Sequence, residues 1–99
     1  VTEPTLFDKS IEQRFWEFHQ ANPAVYYALV SLARQAREAG KKRVGIAMLY
    51  ERARWDLWVQ THGDDYRLNN NFRSYYARLI MSNEPDLARI FETRRLRAA

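Results

Sequence analysis

The sequence predicts an all-α fold, a single domain of about five helices spanning 1–99. Three observations carry this. Apolar residues recur at spacings of three and four through most of the chain. No alternating apolar–polar run of useful length occurs. The residues that break regular structure are few, three Gly and three Pro in 99 residues, and they punctuate the ends of the periodic segments. With 46% hydrophobic and 14% aromatic residues, the chain can supply one packed core.

Residues 1–7 read as an N-terminal arm. Ser10 followed by Gln13 is a capping-box pattern, so a first helix starts there. Ile11, Phe15 and Phe18 share its inner face, and it ends by Asn22 and Pro23. Asn22 is then an N-cap, and Pro23 suits the first position of a second helix over about 23–39. Its stripe is Val25, Ala28, Leu29, Leu32, Ala36 and Ala39, with Arg34, Arg37 and Glu38 opposite. Gly40 supplies the stop, and Lys41, Lys42 and Arg43 follow as the densest positive run.

The third helix covers about 46–60. Its main stripe is Ile46, Leu49, Tyr50, Ala53 and Leu57. Met48, Trp55, Trp58 and Val59 make a second apolar side. Apolar residues on two sides imply a helix sandwiched between neighbours, or one that offers a side to a partner. Gly63, Asp64 and Asp65 make a turn. Tyr66, Arg67 and Leu68 read as extended, with Arg43 and Val44 as the partner of a minimal two-stranded ribbon. A fourth helix starts near Asn69 or Asn70 and ends near Ser82, with Phe72, Tyr75, Tyr76, Leu79 and Ile80 inward. A last helix begins at Pro85, is anchored by Leu87, Ile90 and Phe91, and leads into a basic tail over 94–99.

The net charge is +4 at pH 7, which suits an anionic partner, nucleic acid above all. The chain has no cysteine, so disulfides, thiolate metal sites and a Cys nucleophile are excluded. No apolar run reaches the roughly 20 residues of a membrane span. Val1, Thr2, Glu3 and Pro4 do not open a signal pattern. The expectation is a cytoplasmic protein of a bacterial cell or infected host. The two histidines are far apart, and His62 with Asp64 and Asp65 offers too few oxygen ligands for a metal. No Gly-rich phosphate loop or Ser-His-Asp set occurs. A non-enzymatic protein without catalytic residues, metal or cofactor is expected.

The third and fourth helices would form a helix-turn-helix-like core, although the 61–68 connection exceeds the usual turn of about 3–4 residues. Projected at 100° per residue, the fourth helix turns Asn70, Ser74, Ala77 and Met81 outward, flanked by Asn71, Arg73 and Arg78. Asn pairs with adenine, Arg with guanine, and the first half of a recognition helix makes such contacts. Asn70, Asn71, Arg73, Ser74 and Arg78 are therefore the candidate base-reading set, with Asn69 serving as a cap. Lys41, Lys42, Arg43 and Arg67 would hold phosphates, giving affinity that falls with salt. The expected partner is double-stranded DNA, read by a homodimer whose contact includes Trp55 and Trp58. The alternative is a protein-interaction module, such as an inhibitor of a host protein, using Met48, Trp55, Trp58 and Val59. Among the aromatics, Trp16, Tyr27 and Trp58 fall off the main stripes and are expected to be exposed.

Several segments also carry a resemblance. Residues Phe15 through Tyr26, Tyr50 through Trp55, Gly63 through Asn71, Tyr76 through Met81, Glu84 through Leu87 and Phe91 through Leu96 together resemble a family of small uncharacterised bacteriophage and prophage proteins. The similarity spans roughly 15–97. It implies a phage or bacterial cytosolic setting and no mechanism.

Overall fold

The computed structural model describes residues 10–60 and 68–92. The expectations for the arm, for Gly63, Asp64 and Asp65, for Tyr66 and Arg67, and for the basic tail lie outside the described residues. Four α-helices are described: α1 (Ile11–Ala21), α2 (Pro23–Glu38), α3 (Ile46–Gln60) and α4 (Arg73–Asn83), with 3-10 turns at Asn70–Phe72 and Pro85–Leu87.

The helix starts and stops follow local chemistry. Ser10 Oγ accepts from Gln13 N at 3.1 Å while Ser10 N donates to Gln13 Oε1 at 3.0 Å, completing the capping box. Asn22 differs from expectation. Its side chain makes no N-cap bond to α2. Both its backbone N and its Nδ2 donate to Phe18 O, which closes the end of α1. Pro23 does occupy the start of α2. Gly40, at φ 90°, ends it. Lys41 N donates to Ala36 O and Gly40 N to Arg37 O, the Schellman pair that satisfies the last carbonyls.

α2 is the central element, packed against α1, α3, α4 and the turn at Pro85–Leu87. So many neighbours widen its buried arc. Val25, Tyr26, Leu29, Val30 and Ala33 are buried, whereas Ala39 from the expected stripe is exposed. α3 buries Leu49, Tyr50, Ala53 and Leu57. α1 contributes Phe15, whose ring meets Tyr76 at 4.8 Å and Phe72 at 5.7 Å between centroids. Ile11, expected inward, is 42% exposed. Burial of this apolar set, at about 25 cal/mol per Å², is the main stabilising term.

Three further expectations are corrected. The helix proposed from Pro85 is a 3-10 turn, after which the chain extends. Val44 N donates to Ile90 O at 2.8 Å, Glu92 N donates to Val44 O at 3.4 Å, and Val44 and Phe91 form a parallel bridge. Leu87, Ile90 and Phe91 are buried as expected, but Leu87 closes the 3-10 turn while Ile90 and Phe91 lie in the extended segment after it, not on one helical face. The ribbon partner of Val44 is therefore Phe91. Leu68, expected to pair with it, is irregular and buried. Third, no element among the described residues covers the second apolar side of α3: Met48 is 62%, Trp55 59%, Trp58 53% and Val59 53% exposed. No helix among the described residues is long and apolar enough to cross a membrane.

Candidate functional site

The segment entering α4 is held from beneath by α3. Tyr50, fully buried, donates its hydroxyl to Asn69 O at 2.7 Å. Burial pushes that phenol up to about 12. Arg54 donates to Leu68 O at 2.9 Å and to Asn70 Oδ1 at 2.7 Å, and is itself paired with Glu51. Asn69 Oδ1 accepts from Asn71 N at 2.8 Å, the expected cap. Arg73 Nε donates back to Asn70 O at 3.2 Å. Asn70 and Arg73 thus spend polar groups on the fold itself.

The face projected for α4 is corrected accordingly. Ala77 is 2% exposed and Met81 half-buried. The reason is geometric. The Asn70–Phe72 turn is 3-10, with three residues per turn instead of 3.6, so it shifts Asn70 and Asn71 against the projected face, whereas Ala77 and Met81 lie within α4 and are covered by its packing. α4 also packs on both α2 and α3, which rotates Ala77 inward. Asn71, Ser74 and Arg78 remain exposed. The Arg78 guanidinium lies 5.0 Å from the centroid of the Tyr75 ring.

The stronger positive feature is at the other end of α2. Lys41, Lys42 and Arg43 are exposed in the α2–α3 turn. A cleft of about 450 Å³ is lined there by Arg37, Lys41, Lys42 and Arg89, with Gly40, Asp86 and Ile90 completing it. Asp86 is neutralised from the side. Arg34 Nε reaches Asp86 Oδ2 at 2.9 Å and Nη2 reaches Oδ1 at 3.1 Å, and Nη2 also meets Glu84 Oε1 at 2.7 Å. Those bonds hold the Asp86 carboxyl below the usual range and raise the Arg34 guanidinium. Tyr26 donates to Glu84 Oε2 at 2.8 Å, tying the same corner to α2. The cleft therefore keeps a positive excess. Arg37 and Arg89 were missed from sequence because 52 positions separate them and only the chain's return past α2 brings them together. Arg67 lies outside the described residues.

The outer face of α3 is apolar. The Trp55 and Trp58 rings are 5.3 Å apart between centroids. Arg52 on that face pairs with Asp56 at 3.1 Å. A groove of about 520 Å³ between α2 and α3 adjoins it, with Leu32, Ala36, Met48 and Leu49 in its lining and Arg43 and Arg52 at its rim. Trp16 and Tyr27 are also exposed, at 42% and 66%, as their positions off the stripes implied.

Comparison with family models, curated proteins and solved structures finds no match.

Proposed function

We propose that this chain binds double-stranded DNA as a small helix-turn-helix-like accessory or regulatory protein of a phage or prophage. One observation carries the reading: Arg37, Lys41, Lys42 and Arg89 converge on one cleft, beside exposed Arg43, while the cleft's carboxylate is already satisfied by Arg34. Phosphate oxygens are the ligand such a set of donors suits, and each neutralised phosphate releases counterions. In this reading α3 and α4 are the helix pair. Asn71, Ser74 and Arg78 are the α4 side chains left to meet base edges, with Asn70 and Arg73 positioning them. The test is the salt dependence of duplex affinity for Lys41→Ala with Lys42→Ala. The log–log slope should fall by about 1–2 units; an unchanged slope would remove the cluster from the interface.

A second reading has its own support. Four large apolar side chains exposed on one helix suit a protein partner. It is favoured if duplex binding is absent even at low salt.

A further inference from the structure

Met48, Arg52, Trp55 and Val59 follow one another along α3 at spacings of four, three and four. That is the order of a heptad seam. Met48, Trp55 and Val59 are each more than half exposed, and the Arg52 side chain is 62% exposed. The spacing reads the same from either end. A two-fold axis crossing α3 between residues 53 and 54 would therefore set Met48 against Val59 of a second copy, and Arg52 against Trp55.

We infer that the outer face of α3 pairs antiparallel with the same face of a second copy of this chain. A two-fold contact must be self-complementary, and this face is. Charge selects the direction. Parallel pairing sets Arg52 against Arg52. Antiparallel pairing lays each guanidinium on an indole, a cation–π contact. Asp56 already neutralises Arg52 within each copy, so no lone charge enters the interface. The groove beside Met48 continues the apolar surface toward Leu32 and Ala36. The pairing does not depend on DNA, so its failure leaves the proposed function standing.

The chain has no cysteine, so a single introduced thiol reports its own neighbour. Met48→Cys and Val59→Cys proteins, mixed at roughly 100 µM and oxidised, should form the 48–59 heterodisulfide in preference to either homodisulfide. Two copies of residue 48 would be about 16 Å apart along the axis, beyond the roughly 7 Å limit of a disulfide. Trp55→Glu should abolish the cross-link and weaken the dimer at least about tenfold in sedimentation equilibrium, with helical circular dichroism unchanged. Met48→Glu should do the same by a separate route. A wild-type chain sedimenting at 11.8 kDa at that concentration, a predominance of homodisulfides, or a dimer indifferent to both variants would each overturn the pairing.

Discussion

Tyr50 is where the core and the surface of this molecule meet. Its ring is sealed among apolar neighbours, and its hydroxyl reaches Asn69 O. Tyr50→Phe keeps the packing and removes one of the two donors to that carbonyl, leaving only Phe72 N. The expected loss is about 0.5–1.5 kcal/mol, seen as a lower midpoint in urea with an unchanged slope. A midpoint equal to wild type would show that the bond contributes nothing net. Asn70 follows the same logic: its side chain accepts from Arg54, so Asn70→Ala should lower stability before it affects any binding. His19 gives a pH dependence. It sits among Phe15, Trp16, Tyr26 and Tyr76, its Nδ1 is buried without a hydrogen-bond partner among the described residues, and burial lowers its pKa. The unfolded chain, with His near 6.5, therefore binds the proton more readily than the folded one. Stability is at its full level above about pH 6.5 and falls as the pH drops below it. His19→Leu should flatten that part of the stability–pH curve; an unchanged curve would mean that the imidazole titrates as if unfolded.

The helices were legible where a side chain writes its own boundary. Ser10 with Gln13, Pro23 and Gly40 each act within a few residues of themselves, and each stands where the sequence placed it. Gly40 can be tested directly. At φ 90° with open space around its missing Cβ, Gly40→Ala meets only backbone strain. The cost should be about 1 kcal/mol, lowering Tm by roughly 4–8 °C; an unchanged Tm would mean that the turn relaxes freely. Where distant chain decides the outcome, the sequence was silent or misleading. Leu87, Ile90 and Phe91 have helical spacing, yet the helix stops after one 3-10 turn at Leu87 and the bridge to Val44 holds Ile90 and Phe91 extended. The second apolar side of α3 was visible as a pattern, but whether another element covers it depends on packing and not on spacing. The Arg34 contacts with Glu84 and Asp86 join residues 50 and 52 apart, beyond the reach of any local rule.

At the scale of the whole molecule, one buried core carries two distinct surfaces. The α2–α3 turn and the return of the chain after α4 gather positive charge around a cleft. The outer side of α3 presents tryptophan and methionine to solvent. A basic end proposed to hold phosphates and an apolar helix proposed to pair with a second copy fit one reading: two-fold proteins read palindromic sites with paired recognition elements. Of this site, Lys41, Lys42 and Arg43 were legible as a run. Arg37 and Arg89 were not, because only the fold makes them neighbours. The most direct measurement is fluorescence-anisotropy binding of a random-sequence duplex of about 30 base pairs across a salt series. The account predicts micromolar binding at low salt that weakens steeply as salt rises. No binding at low salt would contradict it and leave the outer face of α3 as the functional surface.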